Sequence, residues 1–377
     1  MTDVLKLNCS RHIAFSGGGS GGHLTPAIAV AEKLLADYSD VQVTFLTSGR
    51  EIDRDVMHHA SISIEDRCTT VHLPVTQPPD FGWSGRSHAR DLWKSVLRSY
   101  RVLKRRKINA MLATGAFASV PGLLAAKWLR IPSMLFEANV RSGRVNRWWK
   151  RRATMALSAW PTMAIEGANE YRSIGMPVRS EVWIPEADQA ASPEIRRPQI
   201  LVVGGSQGSR RVNDLLEQVL MRLALPDHWQ VLHQIGSDHQ SVMQREINSH
   251  VRTVGFIADI GLELRRSAFV ISRAGAVTLG EIAATGCPSI LVPLSTAAER
   301  HQQRNAEYFV EQRAAILVDE SSPRAVDELV HAVNHLIRSE TDRLAMSQAA
   351  QSIHRPGAAD EIARLLIELA DGRERHD

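Results

Sequence analysis

Cysteine is scarce, with 3 among 377 residues, at Cys9, Cys68 and Cys287. Odd in number and far apart, they indicate neither a disulfide framework nor a zinc site, and they suit a reducing cytoplasm. No apolar run approaches the roughly 18 residues of a spanning helix. The N-terminus lacks a signal peptide's apolar core, so any membrane contact is expected to be peripheral. The glycine-rich segments lack two signatures as well. None continues into Gly-Lys-Ser/Thr, which excludes a P-loop, and the strand after the first ends in Thr47-Ser48-Gly49-Arg50, without the acid of a dinucleotide site. Neither sign of charge dominates: 45 Lys and Arg against 41 Asp and Glu leave +4, so any basic surface is local.

Hydrophobic residues at 44% and charged residues at 23% provide for sizeable cores, and the length suits about two domains of about 150 residues. Ser16-Gly17-Gly18-Gly19-Ser20-Gly21-Gly22-His23-Leu24-Thr25-Pro26 opens the first half, and Val203-Gly204-Gly205-Ser206-Gln207-Gly208-Ser209-Arg210 opens the second. Each follows a short apolar run and leads into a helical pattern. Strand, glycine turn and helix together aim backbone N–H groups at a phosphate. Two copies half a chain apart predict two α/β domains facing each other across a cleft.

Apolar runs at 12–16, 41–46, 71–75, 110–113, 132–136 and 154–157 read as strands, with helices over 26–36, through the arginine-rich stretch, and over 121–129. Pro185, Pro193 and Pro198 punctuate a polar stretch without periodicity, read as a linker. Strands at 200–203, 230–234, 252–256, 269–272, 289–293 and 314–318 follow, with helices over 212–223 and 276–285, the latter stopped by Gly286 and Pro288. The expected domains are 1–180, a linker 181–198, and 199–355. A C-terminal helix over 356–377 is free to return to the first domain.

His23 at the mouth of the first loop either accepts a proton, kept neutral by the positive helix end, or caps its helix. A third strand-to-helix turn, Ser272-Arg273-Ala274-Gly275-Ala276, is followed by Glu281, which either accepts two ribose hydroxyls or lies exposed on its helix. Glu299-Arg300-His301-Gln302-Gln303-Arg304-Asn305 either binds sugar hydroxyls or is a polar helix start. Arg86, Arg90, Lys94, Arg98, Arg101 and Arg105 form one helical stripe beside an apolar face of Trp93, Val96, Leu97, Tyr100 and Leu103. With Pro78, Pro79, Phe81 and Trp83 just before, and Trp148 and Trp149 in a second basic cluster over 141–152, this stripe docks on anionic lipid, binds nucleic acid or is a solvated helix face.

In this order the motifs resemble the MurG-type glycosyltransferases of peptidoglycan synthesis. Gly18 to His23 with Pro26-Ala27 matches the family's first loop, with Ser20 where threonine is usual. Gly175-Met176-Pro177-Val178-Arg179 resembles its interdomain motif, and Gly204 to Ser209 with Asn213 its second loop. Arg273 to Ala276, Glu281 to Ala284, Gly286, Pro288, His301-Gln302 and Asn305-Ala306 match its donor site. The resemblance implies a GT-B fold of two Rossmann-like domains. It implies inverting transfer of N-acetylglucosamine from UDP-N-acetylglucosamine to an undecaprenyl-pyrophosphoryl-muramoyl-peptide, without cofactor, catalytic metal or nucleic acid, at the cytoplasmic face of the inner membrane.

Carried onto this sequence, the resemblance makes His23 the general base, with Glu137 the other candidate. It implies donor contacts from Ser20, Gly21, Gly22, Asn139, Arg179, Ser206, Gln207, Gly208, Phe256, Ile257, Ala276, Glu281, His301, Gln302 and Asn305. Gly18, Gly19, Ser119 and Asn146 fall on its acceptor positions. The family's His-Glu-Gln-Asn is here Phe136-Glu137-Ala138-Asn139, and its Gly-Gly-Tyr-Xaa-Ser is Gly115-Ala116-Phe117-Ala118-Ser119. Each lost acceptor-facing hydrogen bond is worth about 0.5–1.5 kcal/mol. A related transferase with another lipid acceptor, an epimerase of the same fold, and a non-catalytic UDP-sugar-binding protein therefore stand as alternatives.

Overall fold

A computed structural model describes residues 11–19, 21–60, 66–75, 86–161, 167–179, 182, 196–205, 208–236 and 250–374. The chain divides into two compact units, 1–177 with 357–377, and 178–356.

The first unit runs β1 (Arg11–Ser16), α1 (Gly21–Asp37), β2 (Val41–Thr47), α2 (Glu51–Ala60), β3 (Cys68–His72), α3 (Arg86–Arg105), β4 (Ala110–Ala113), α4 (Val120–Trp128), β5 (Ser133–Glu137), α5 (Arg144–Trp149), β6 (Met155–Ser158) and β7 (Tyr171–Ser173). The strands form a parallel sheet in the order β3-β2-β1-β4-β5-β6-β7. Its central strands are buried on both faces, which is why they read as unbroken apolar runs. Phe15 and Phe45 are register partners and stack at 5.0 Å. Met111, Leu123, Leu135 and Trp149 pack together under the α3–α4 layer.

The second unit runs β8 (Arg197–Val203), α6 (Arg210–Arg222), β9 (Gln230–Gln234), β10 (Val251–Val254), α7 (Ile260–Arg266), β11 (Ser267–Ser272), α8 (Ala276–Thr285), β12 (Ser289–Leu291), α9 (His301–Glu311), β13 (Ala315–Leu317), α10 (Ala325–Arg338) and α11 (Glu340–Ile353). Its sheet is parallel in the order β10-β9-β8-β11-β12-β13. Val202, Phe269, Ile271 and Ile290 meet Val219, Leu329, Val333 and Leu336 from α6 and α10.

The last helix, α12 (Ala358–Glu374), belongs to the first unit. Arg11 donates to Asp371 at 2.7 Å, and Arg373 donates to the Ile108 carbonyl at 2.7 Å. Lys33 pairs with Asp360 at 2.8 Å. Such half-exposed pairs contribute little energy, and the buried side chains of Ile362, Ala363 and Leu366 carry the docking.

Three elements depart from the periodicity. The strand expected over 71–75 pairs as Cys68–His72, because an edge strand takes its limits from its partner β2. The strand expected over 252–256 ends at Val254, so Phe256 leaves the sheet and is 52% exposed. Helix α1 begins before Pro26, which therefore cannot donate to the Gly22 carbonyl.

Candidate active site

In both sheets the strand order reverses beside the first strand of the unit, between β1 and β4 and between β8 and β11. Parallel strands all end on one edge, and the crevice at such a reversal is where open α/β sheets take ligands. Each glycine loop sits on that edge at the reversal.

In the first unit Gly18 and Gly19 adopt φ 132° and 86°, the left-handed side that glycine allows. The Gly19 N–H donates to Asp53 Oδ1 at 2.8 Å, and the Ser48 N–H donates to Asp53 Oδ2 at 3.1 Å. The Arg50 guanidinium donates to the Gly19 carbonyl at 2.9 Å. Asp53 is fully buried, so this carboxylate is a fixed anchor beneath the loop. Gly21, Gly22 and His23 form the first turn of α1. Ser20 lies outside the described residues.

His23 reaches across the reversal. Its Nδ1 lies 2.8 Å from the Thr114 carbonyl. A carbonyl only accepts, so Nδ1 carries the proton, and Nε2 of the neutral ring is left as a proton acceptor. The ring bonds the end of β4 rather than capping its own helix.

Beyond β5 the chain folds around Glu137, which is buried. Its Oε1 accepts from the Asn139 N–H at 3.0 Å and the Asn139 side chain at 3.2 Å. Its Oε2 accepts from the Gly143 N–H at 2.8 Å and Asn146 Nδ2 at 2.9 Å. Asn146 also donates to the Phe136 carbonyl at 3.2 Å. Both carboxylate oxygens thus organise the 137–146 turn. Phe136 is buried in the core, so its exchange for the family's histidine alters packing there.

Ser119 is buried as well. Its hydroxyl donates to the Ser16 carbonyl at 2.9 Å and approaches the Gly115 carbonyl, tying the β4 loop to β1. Ala116 holds φ 59° and ψ 168°, a region almost confined to glycine, where the family pattern has glycine.

In the second unit Gly208 adopts φ 74°. Ser209 caps α6, accepting from the Val212 N–H at 3.4 Å. Gln234 of β9 donates to the Gly205 carbonyl at 3.0 Å. His233 donates to Asn213 at 3.0 Å, and burial pushes the ring down to about 4, so it stays neutral. Ser206 and Gln207 lie outside the described residues.

Ala276 opens α8, and Glu281 sits inside that helix, buried rather than exposed. Burial raises its carboxyl to about 7, against the opposing pull of the Arg179 guanidinium. Asn305 is buried and donates to the Ala274 carbonyl at 3.1 Å, holding the third turn. Gln302 Oε1 accepts from the Leu294 N–H at 2.9 Å, which leaves its NH2 as the outward donor. His301 is 3.9 Å from Glu299, and Glu299 and Arg300 both adopt left-handed φ ahead of α9. Phe256 and Ile257 follow β10 on the same edge.

Residues that local patterns did not single out hold these loops. Asp53 is one; Glu320 is another. Glu320 lies 47 residues from Arg273 in sequence, yet its Oε2 accepts from Arg273 at 2.6 Å. Asp53 meets Ser48 five residues away but reaches Gly19 only across the sheet, and Glu320 reaches Arg273 only through the sheet order.

On α3, Arg90, Lys94, Arg98, Arg101, Lys104 and Arg105 are exposed, while Val96 and Leu103 are buried. Trp93, assigned by period to the apolar face, is 55% exposed and packs edge-on to Trp128, itself 49% exposed, at 5.8 Å. Trp149 is buried and only Trp148 of its pair is exposed, beneath the Arg152 guanidinium at 5.3 Å. The aromatic segment over 77–85 and the Arg86 side chain lie outside the described residues.

Two doubly wound parallel sheets, each with a glycine loop at its reversal, define the GT-B class of transferase. Residues 13–158 match the Glycosyltransferase family 28 N-terminal domain, and residues 199–362 match the Glycosyltransferase family 28 C-terminal domain. A Xanthomonas euvesicatoria protein named UDP-N-acetylglucosamine--N-acetylmuramyl-(pentapeptide) pyrophosphoryl-undecaprenol N-acetylglucosamine transferase is 33% identical over 374 residues, covering 96% of this chain and 81% of that one. A protein of the same name from Pseudomonas fluorescens is 30% identical over 370 residues, covering 96% of this chain and 99% of that one. The crystal structure of MurG from Acinetobacter baumannii shares the fold with TM-score 0.73 at 24% identity, covering 95% of this chain and 99% of that one. The chain belongs to glycosyltransferase family 28, and its similarity runs to the MurG-type members.

Proposed function

We propose that this protein transfers N-acetylglucosamine from UDP-N-acetylglucosamine to a polyprenyl-pyrophosphate-linked muramoyl-pentapeptide, inverting the anomeric centre. The first unit, about 1–180, handles the acceptor, and the second, about 199–355, holds the donor. The observation that carries the chemistry is the Nδ1 bond of His23 to the Thr114 carbonyl, 2.8 Å, which presents Nε2 as a base on a glycine loop. The acceptor hydroxyl gives its proton to Nε2 as its oxygen attacks the anomeric carbon, and UDP departs with the bonding pair. Glu137, with both oxygens engaged by its own turn, has a positioning role with Asn139 and Asn146.

On the donor side Glu281 accepts ribose hydroxyls, and Phe256 and Ile257 border the base. Arg179, Gly208, Ser206 and Gln207 meet the diphosphate. Gln302, His301 and Asn305 form or support the sugar site. Loop N–H groups and Arg179 stabilise the charge developing on UDP. Gly18, Gly19 and Ser119 shape the acceptor side. No cofactor or metal is needed for this displacement.

The relatives' names support the donor and acceptor; His23 and the buried Glu281 support the chemistry. Labelled N-acetylglucosamine is supplied as the UDP-sugar with a short-chain muramoyl-peptide lipid analogue and EDTA. Transfer is expected. UDP-sugar binding without transfer would move the reading to a different lipid acceptor, and product without acceptor would make it an epimerase.

We infer further that α3 docks on the anionic cytoplasmic leaflet. Six exposed cations beside the Trp93–Trp128 pair combine charge attraction with interfacial aromatics. Among the described residues no helix is long and apolar enough to cross a membrane. Vesicles rich in anionic lipid should bind the protein, and changing Arg90, Lys94 and Arg98 to glutamate should abolish binding. Unchanged binding would remove the docking reading.

A further inference from the structure

Three loops of the second unit hold its proposed donor contacts: the one closed by Gly208 and Ser209 after β8, 273–275 after β11 and 292–300 after β12. They are joined below by one buried ion pair. The Glu320 side chain is 1% exposed and the Arg273 side chain 7%. Arg273 donates to Glu320 Oε2 at 2.6 Å, to the Val292 carbonyl at 3.0 Å and to Ser209 Oγ at 2.8 Å. The other oxygen, Oε1, accepts from the Ser295 N–H at 2.8 Å and the Ser295 hydroxyl at 3.0 Å. Arg211, one residue into α6, donates to the Glu320 carbonyl at 2.7 Å. One carboxylate and one guanidinium therefore fix the cap of the second glycine loop, the third turn and the loop that leads to Gln302.

Stability alone does not call for such a pair. Removing both charges from water costs about what their attraction returns, and apolar side chains of similar volume fill such sites equally well. What the pair adds is direction. Its bonds run to defined atoms of separate loops, whereas apolar packing would let those loops slide. The carboxyl is held ionised: burial pushes it up, but the Ser295 N–H and the Arg273 guanidinium outweigh that and keep it below its ordinary range.

We propose that Glu320 is a positioning residue for the donor: acting through Arg273, it locks the three loops into one receptor for a nucleoside-diphosphate sugar. This rests on the reading of the second unit as the donor site.

The test is titration of the full-length protein with UDP, followed by steady-state kinetics against each substrate. Glu320→Gln keeps the side-chain shape and removes the charge. Misplaced loops should weaken UDP binding and raise donor KM roughly ten- to a hundredfold, with acceptor KM unchanged. Ser209→Ala added to Glu320→Gln should weaken binding little further, because both act through Arg273; independent effects would add. The double variant Arg273→Met with Glu320→Met covers the case in which Glu320→Gln fails to fold. It removes both charges together, so it should stay folded and still lose UDP affinity. Unchanged UDP affinity in the folded single or double variant, or a loss shared equally by acceptor KM, would overturn the proposal. Failure of the unmodified protein to bind UDP would instead overturn the donor reading, and this inference with it.

Discussion

The two glycine loops sit at equivalent places in the two units and are held in different ways. In the first unit a lone buried carboxylate, Asp53, gathers N–H groups from Gly19 and Ser48, and the reversal is crossed by the His23 ring meeting a carbonyl. In the second a full ion pair crosses it, from Glu320 through Arg273 to Ser209. The difference matches the proposed roles of the two loops. Under the proposed roles the first loop carries a base, and the bond from Nδ1 to a carbonyl leaves Nε2 open to accept a proton. A loop for a diphosphate needs fixed geometry and gains from a rigid charged frame, provided that frame is internally neutral.

The sharpest way to break this comparison is to remove the base. His23→Ala should lower kcat by about 10²–10⁴ while UDP titration is unchanged. A matching loss of UDP affinity would assign His23 to the donor instead. Gly208→Ala is the reciprocal change. Gly208 has φ +74°, and an added Cβ would fall 2.2 Å from the Ile235 carbonyl oxygen, so the loop must move. UDP affinity should drop at least about tenfold, measured by calorimetry, and an undisturbed affinity would detach this loop from the donor.

Asp53→Ala should lower the unfolding midpoint, because it strips the acceptor from the half-buried N–H groups of Gly19 and Ser48, at about 1 kcal/mol each. Donor titration should not change, and a stable variant would deny Asp53 its anchoring part.

Glu281 links pH to both binding and stability. Under the proposed ribose contact the hydroxyls donate to the ionised carboxylate, whose proton affinity burial raises to about 7 in the free site. UDP affinity should therefore climb as pH rises toward and through that value, then level off. The folded pKa is raised, so the stability Glu281 contributes is complete below the unfolded value near 4.5 and fades as pH rises through about 7. Glu281→Gln should flatten the binding profile, weaken UDP and stabilise the ligand-free unit at pH 8. A wild-type profile in that variant would remove Glu281 from the ribose.

The smallest effect belongs to Ala116→Gly. At φ 59° and ψ 168° the alanine is strained, so glycine should raise the unfolding free energy by about 1 kcal/mol and the midpoint with it. A lower midpoint would show the methyl group to be a packing contact.

Features encoded over a few residues were legible in advance. The glycine turns are written in residues that tolerate positive φ, and the sheet's middle strands in apolar runs. Helices α6 and α8 declared themselves by period, and α8 also by its stop at Gly286 and Pro288. Five exposed cations of the α3 stripe, Arg90, Lys94, Arg98, Arg101 and Arg105, followed from 3.6-residue spacing, but Trp93 did not: one helical turn cannot say which flank meets α4. The polar α2 and the three-residue edge strand β7 had no comparable signature.

The sequence by itself determined two α/β units, their phosphate-type turns and the residues that line them, because backbone conformation and side-chain period are local properties. Only the tertiary structure decided where the strand order reverses, and hence that His23 meets Thr114, that Asp53 lies beneath Gly19, and that Glu320 reaches Arg273 and Ser295. Those pairings join residues 91, 34 and 47 apart for His23–Thr114, Asp53–Gly19 and Glu320–Arg273. Buried polar groups must find partners wherever the sheet order brings them, and that order is a property of the whole packed unit.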